Sequence, residues 1–563
     1  MTKAKKQLFI FLFLVLFGTL IRLIDFPGIP FSLFSDEVDI GYQAMSFRET
    51  GKDYFGNFLP LQFHSFSDIR TSLPIYATIL VSYLPGVSLE LAVRLTPLLF
   101  AIGSLLLIYY FVNALYDHFN LEKGKGLLQP GHFAVFILSV SPWHFTYSRT
   151  AFELSQLFFF TLLGLYLFLK YQKTYQIKLL CYSLVVLGLT PMIYSTAKLA
   201  VIGYPVILWL MADTKSRRVI VSRWYLGVLM FFPLTLLLLN GGAGRRFGEL
   251  AIYTDPTIPS QINYIRQTDL GPNLIVGSTP SLTTKIVHNK AETIIFRFIN
   301  NAIKPLSATY LFLTGDPNPR HALPDWGMFL RSFIIILFLG SFALFNRNHK
   351  NLTLALVIFI CLAIAPSALT RDGADHSSRL YMLLLPLVII MTIGWTYLSR
   401  YRVVLVLLLL LTLTESFFYF HDYFTHYPYV SEKDFHVGLK EVVQAAKAED
   451  TFAIISPKYE PPLIFFLFYT HFPPAKFQSL LNNKQLYHPL NQDLNLEGYQ
   501  IGDEPIFIAS VRNVNGQPLY PMKGIYYMTF LEATAIYREK MSSLIPAIKS
   551  PSGLPLYYRI EAN

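Results

Sequence analysis

Charge is scarce in this sequence. Of 563 residues only 14% are Asp, Glu, Lys or Arg, against roughly 25% in an ordinary soluble chain, which excludes a conventional soluble fold of this size. Cysteine is scarcer still. The two present, Cys181 and Cys361, each lie inside an apolar run, which argues against a disulfide framework or a cysteine-based metal site. No metal-ligand spacing, P-loop, nucleotide-binding glycine pattern or nucleophile elbow is convincing. The glycine-rich stretch Asn240-Gly241-Gly242-Ala243-Gly244 ends an apolar run and lacks the strand–helix setting such motifs need. There is no internal repeat and no low-complexity tract. The formal charge is +11, but the Lys and Arg residues fall in short clusters between apolar runs. That pattern reports membrane topology, not a nucleic-acid footprint.

What is abundant is apolar and aromatic. Hydrophobic residues make up 53% of the chain and aromatics 16%, with 35 Tyr and 48 Phe, a composition suited to a bilayer and its interfaces. A membrane helix needs about 20 mainly apolar residues. Such runs lie near 8–25, 92–115, 128–145, 152–170, 177–195, 198–212, 222–240, 327–345, 351–369, 379–398 and 402–420, about eleven in all. The first follows a basic N-terminus and has no small-residue cleavage site after it, so it reads as an uncleaved helix and not as a signal peptide. The run 73–84 is about a dozen residues long, too short to span.

The positive-inside rule tests that exclusion. With Lys3, Lys5 and Lys6 cytoplasmic and 73–84 not crossing, the remaining basic clusters share the cytoplasmic side. They are Lys123/Lys125, Lys170/Lys173/Lys178, Lys215/Arg217/Arg218, Arg347/Lys350 and Arg400/Arg402. The short outer loops keep isolated cations such as Arg149, Lys198, Arg371 and Arg379. If 73–84 crossed, every later cluster would face outward. Three outer regions follow: 26–91, 241–326 and a more polar portion from about 425 to 563. The last reads as a small soluble α/β domain, with a helical pattern at 432–448 and strand-like segments at 451–456 and 505–510. The expected architecture is an α-helical polytopic membrane domain, 1–424, followed by this domain, 425–563.

The polar residues that could carry chemistry gather at the outer ends of spans. Ser35-Asp36-Glu37-Val38-Asp39 opens a segment in which Ile40, Ala44, Met45 and Phe47 recur at helical spacing against Tyr42, Gln43, Arg48 and Glu49, predicting an amphipathic helix on the membrane surface. Its carboxylates suit a helix N-terminus, the simpler account of the pattern; the sharper alternative is that one is a general base whose pKa partial desolvation would raise. Arg70 precedes a second short apolar helix containing Pro74 and Tyr76, and either snorkels to headgroups or binds a phosphate. Ser141-Pro142-Trp143-His144 through Ser148-Arg149 forms an outer turn. Interfacial belting is the simpler account of Trp143 and serves for Tyr147, whereas His144, Arg149 and Glu153 at one depth are harder to dismiss. Gly315-Asp316-Pro317-Asn318-Pro319-Arg320-His321 is a turn with two possible anion contacts. Arg371 to Arg379, with His376 between, leads into an apolar run where Arg379 either snorkels or grips a lipid phosphate.

In order and sidedness these segments resemble the membrane glycosyltransferases of the GT-C class, nearest to the protein O-mannosyltransferase family and its bacterial relative that transfers aminoarabinose to lipid A. The matching pieces are Asp36-Glu37 with the following surface helix, then Arg70, Pro74 and Tyr76, then Ala92-Val93-Arg94-Leu95-Thr96-Pro97, then Ser141–Arg149, and a weaker Arg379-Leu380-Tyr381 with Pro386. Coverage is about residues 1–420. The family often has Lys-Pro-Pro where this chain has Arg-Thr-Ser-Leu-Pro.

The resemblance implies a GT-C-like fold with two interfacial helices in the first outer loop. It also implies inverting transfer of a sugar from a polyprenyl-phosphate carrier to an acceptor hydroxyl on the outer face. Asp36 would be the catalytic base and Glu37 would orient it or the acceptor. The departing phosphate needs cations; Arg70, Arg149 and Arg379 are the candidates, with Tyr76, His144 and His376 beside them. No cofactor or metal is expected. The partners expected are the lipid-linked donor, a protein, lipid or glycan acceptor and membrane lipids, without nucleic acid, in a multi-pass cell-membrane protein whose N-terminus is cytoplasmic. The competing class is a transporter or flippase for a lipid-linked substrate. Transporters place ionisable residues at the midplane of interrupted spans; here they gather at span ends.

Overall fold

The computed structural model describes residues 2–66, 69–124, 126–239, 248, 250–271, 279–346, 349–371, 373–449, 453–455, 463–482, 498–500, 506–509, 524–536 and 544–562. Lys125, Arg347, Asp372 and the stretch 240–244 lie outside them, as do the edges of the two strand-like segments. The chain divides into two units. One comprises Met1–Arg22, Leu99–Ser148 and Glu153–Phe420; the other comprises Leu23–Leu98, Arg149–Phe152 and His421–Asn563.

Each of the eleven apolar runs contains helix. Among the described residues, six helices are long and apolar enough to cross a membrane: Lys3–Leu23 (α1), Leu89–His118 (α4), Leu154–Thr174, Lys350–Ala368, Ser377–Leu398 and Arg402–Thr425. A seventh candidate is the pair Thr214–Ser222 and Trp224–Leu239, bent by 84°. The runs at Pro130–Val140, Ile177–Met192, Ala197–Met211 and Phe333–Asn346 form shorter apolar helices. The segment judged too short to span is the helix Ser72–Ser82 (α3), 11 residues long. That is about 16 Å at 1.5 Å per residue, about half of a 30 Å hydrocarbon core.

In the first unit the outer helices carry apolar side chains outward. Leu8, Phe9, Leu12, Phe13 and Leu16 on α1 are exposed, as are Val403, Val406, Leu407, Leu410 and Phe417. In water each would forgo about 1.5–3 kcal/mol of burial; lipid removes that cost. The helix Ser377–Leu398 is the opposite, with 94% of its apolar window buried. It crosses Phe333–Asn346 at glycines: a Cβ on Gly394 would collide with the Ile336 carbonyl, and one on Gly340 with the Ile390 carbonyl. Small residues at such crossings let backbones approach and maximise dispersion contact where no hydrophobic force operates.

In the second unit, Ser35–Thr50 (α2) is the centre. It ends on Gly51, whose φ of 70° no β-carbon residue takes cheaply and whose N–H donates to the Phe47 carbonyl at 2.9 Å. A two-stranded antiparallel hairpin, Gln62–His64 (β1) and Ile69–Thr71 (β2), pairs Phe63 with Arg70. The C-terminal part carries a six-stranded mixed sheet of Ala453–Ile455 (β3), Gly498–Gln500 (β4), Ile506–Ala509 (β5), Gly524–Thr529 (β6), Pro546–Lys549 (β7) and Pro555–Ala562 (β8), in the order β4-β5-β3-β6-β8-β7. Strand β3 runs parallel to β5 and β6. The helix Leu439–Lys447 buries Leu439, Val442, Val443 and Ala446, an apolar stripe at helical spacing.

One expectation fails here. Helix α2 is not a one-sided surface helix, because residues 37–46 are all buried. Its polar face is covered by C-terminal helices: the Tyr42 hydroxyl donates to the Phe472 carbonyl at 3.1 Å, and Gln478 Nε2 donates to the hydroxyls of Ser46 and Thr50. The polar positions mark partners inside the protein, not water.

Candidate functional site

Two arginine–carboxylate clusters are built on α2, both within the second unit. Asp36 and Asp39 are three apart and share a face of the helix. Arg70, at the end of the hairpin, reaches both: Nη2 lies 2.7 Å from Asp36 Oδ1 and Nε 2.6 Å from Asp39 Oδ2. Asp39 also accepts from the buried Tyr54 hydroxyl at 2.6 Å. Burial pushes the Asp39 carboxyl above its ordinary range, with the Arg70 charge and the Tyr54 hydroxyl pulling it back. The Asp36 side chain is 42% exposed, against 3% for Asp39 and 9% for Arg70. One carboxylate of the group is therefore exposed, and the guanidinium that it meets is itself fixed by Asp39.

The second cluster is closed. Glu37, about 100° further round the helix, is fully buried. Its carboxylate meets Arg94 at 3.2 and 3.4 Å, the Ala151 backbone N–H at 2.8 Å and the Phe34 N–H at 3.2 Å. Arg94 also donates to the carbonyls of Pro27, Pro30 and Ser32. Arg149 lies fully buried, donating to the carbonyls of Ile24, Asp25 and Ile29 and facing the rings of Phe26, Tyr423 and Phe424. These cations hold the 24–32 segment. Each buried charge has hydrogen-bond partners, the condition under which burial is tolerable.

Of the sequence-derived site residues, Asp36, Glu37, Arg70, Tyr76 and Arg149 belong to this unit. Tyr76 donates to the Pro60 carbonyl at 2.9 Å and packs edge-on to Phe47 and Phe63, which braces the hairpin. Asp39 and Arg94, which the sequence offers only as parts of motifs, join the clusters, as does Tyr54. The spacing of Asp39 from Asp36 was a usable signal, and so was Arg94 at the head of an apolar run; Tyr54 had none.

His144, His376 and Arg379 belong to the other unit. His144 is buried and its Nδ1 accepts from Arg22 Nη2 at 2.8 Å. A guanidinium cannot accept, so the His144 proton sits on Nε2. Arg22 also donates to the carbonyls of Gly18, Leu138 and Ser139. Arg379, half-buried, donates to the Thr370 hydroxyl at 2.8 Å. Trp143 and Tyr147 are not belt residues. Trp143 is buried among Tyr310, Phe329 and Tyr381, its indole N–H directed at the Ser377 carbonyl; the buried Tyr147 hydroxyl meets His321 and Ser377. Amphipathic rings belong at an interface only when nothing inside the protein takes their polar tip.

Neither a protein-family model nor a curated relative matches the chain. Among solved structures it is similar to the oligosaccharyltransferase AglB of Archaeoglobus fulgidus, in complex with an inhibitory peptide and a dolichol-phosphate. The identity is 10% and the TM-score 0.47, over 83% of this chain and 64% of that one. It thus spans less than two-thirds of that enzyme's length. It is also similar to ArnT from Cupriavidus metallidurans bound to undecaprenyl phosphate, at 11% identity and a TM-score of 0.39 over 97% of both chains.

Proposed function

We propose that this protein is an inverting membrane glycosyltransferase that takes a sugar from a polyprenyl-phosphate carrier and passes it to an acceptor hydroxyl on the outer face, with Asp36 as the base. The observation that carries the reading is the contrast between neighbouring carboxylates: Asp36 is open and tethered, whereas Glu37 is enclosed by donors. A general base must reach the proton that it takes, and of these two only the Asp36 carboxylate is exposed.

In the proposed step Asp36 accepts the acceptor's proton as the acceptor oxygen bonds to the anomeric carbon. The bond from that carbon to the carrier phosphate breaks, and the phosphate leaves with the electron pair. Arg70 orients Asp36, and its second contact, to Asp39, fixes the guanidinium. Glu37 and Arg149 act as positioning residues that hold the 24–32 segment. The phosphate role read from the sequence is proposed for Arg379, whose planar fork suits phosphate oxygens. The step uses no metal and no cofactor. The full reading has about eleven spans, an outer-face domain from residue 425 that positions the acceptor, and a cell-membrane location.

Incubating the purified protein with polyprenyl-phosphate sugars and measuring free polyprenyl phosphate tests the reading. Release that requires Asp36 supports it. Movement of the lipid-linked sugar across vesicles with no release would overturn it in favour of a transporter.

A further inference from the structure

Among the described residues, two groups of three His and Asp side chains bring ligand atoms within 4.8 Å of one another: Asp316, His321 and His376, and His421, Asp422 and His426. The second group is largely exposed. The first is different. Asp316 and His321 are buried and His376 is half-buried, and each side chain is braced from behind.

We propose that Asp316, His321 and His376 form a divalent transition-metal site, of the kind that takes zinc, which staples the 316–321 turn to the start of the helix Ser377–Leu398. Two imidazoles and a carboxylate are a ligand set that zinc accepts, with a fourth position left for water. The surroundings fit a second shell. The Tyr147 hydroxyl lies 3.0 Å from His321 Nδ1 and 2.7 Å from Ser377 Oγ. By donating to the serine it can accept from Nδ1–H, which leaves the lone pair of that imidazole on Nε2. The Ser378 hydroxyl stands 2.9 Å from His376 Nδ1 and can do the same. Hydroxyl or carbonyl acceptors behind Nδ1 are how ligating imidazoles are oriented and made more basic.

Asp316 is aimed by backbone donors. Oδ2 accepts from Ser377 N–H at 2.8 Å and Oδ1 from Asn318 N–H at 2.9 Å; the Ser377 hydroxyl also donates to this carboxylate, and of its four lone pairs one is left for an ion. The imidazole rings of His321 and His376 stand 5.0 Å apart, centre to centre. The half-buried His376 provides the entry side. The ligands come from two segments far apart in sequence, so the ion would be a cross-link. His376, read from the sequence as a phosphate contact, is thereby assigned a different partner, and the glycosyl-transfer step proposed above does not use the ion.

The test uses full-length protein in detergent, stripped with chelator and titrated with cobalt(II). Expected are visible d–d absorption saturating at about one cobalt per chain and its loss on adding zinc. Asp316→Asn and His376→Gln, which keep side-chain size, should each abolish the absorption while eluting as folded protein. Tyr147→Phe should weaken cobalt affinity about 10- to 100-fold. Zinc should raise the melting temperature of the parent protein and of Asp36→Asn, but not of His376→Gln. No cobalt absorption in the parent, or absorption unchanged in His376→Gln, overturns the site. Because the readout is spectroscopic and thermal, failure of the glycosyltransferase reading leaves it intact.

Discussion

The two arginine–carboxylate clusters on α2 begin one residue apart and do opposite things. Asp36 points at the hairpin, where Arg70 bridges it to Asp39 and leaves it 42% exposed. Glu37 points the other way, into Arg94, two backbone N–H groups and no solvent. Both pair a carboxylate with an arginine. The difference is where the 100° step per residue aims each side chain. One cluster leaves a carboxylate exposed, and the other fastens the 24–32 segment.

Four substitutions break or sharpen that contrast. The largest effect is expected for Asp36→Asn. Losing a general base should lower release of free polyprenyl phosphate about 10²- to 10⁴-fold, with a melting temperature close to the parent's. Full activity would remove Asp36 as the base. Arg94→Met attacks the closed cluster and leaves Glu37 buried without its charge partner, at a cost of roughly 3–5 kcal/mol. It should appear as poor folded yield and a much lower melting temperature. A stable Arg94→Met protein would mean that the closed cluster is not a frame.

Arg70→Lys keeps the charge but not the fork that spans Asp36 and Asp39. One charge-assisted hydrogen bond, about 1.5–3 kcal/mol, is lost, so turnover should drop on the order of ten- to a hundredfold. The loss should fall in kcat more than in KM; an effect confined to KM would move Arg70 from the base to the substrate. Smallest is Tyr54→Phe, which removes one donor to Asp39 while Arg70 remains. It should cost about 1 kcal/mol of stability and leave transfer within a few-fold of the parent's. A loss as deep as that of Asp36→Asn would make Asp39, and not Asp36, the group on which transfer turns.

Much of this was legible beforehand because bilayer physics writes itself into sequence. Runs of about 20 apolar residues, and a dozen-residue run at 73–84 too short to cross, appear among the described residues as six long helices, further apolar helices at the remaining runs, and the 11-residue α3. Asp36 and Arg70 were legible as candidates, but their ion pair was not, since they are 34 residues apart. Trp143 and Tyr147 misled for a related reason: an amphipathic ring looks alike whether its polar tip meets headgroups or, as here, Ser377 and His321.

By itself, then, the sequence determined the membrane class, the places of its helices and the position of acidic and basic residues at their ends, because hydropathy and charge act locally along the chain. Only the tertiary structure decided that α2 is enclosed by C-terminal helices, that Asp36 stays open while Glu37 closes on Arg94, and that Asp316 and His321 come to His376. Those outcomes depend on which distant segment covers which helix face, and no periodicity records that.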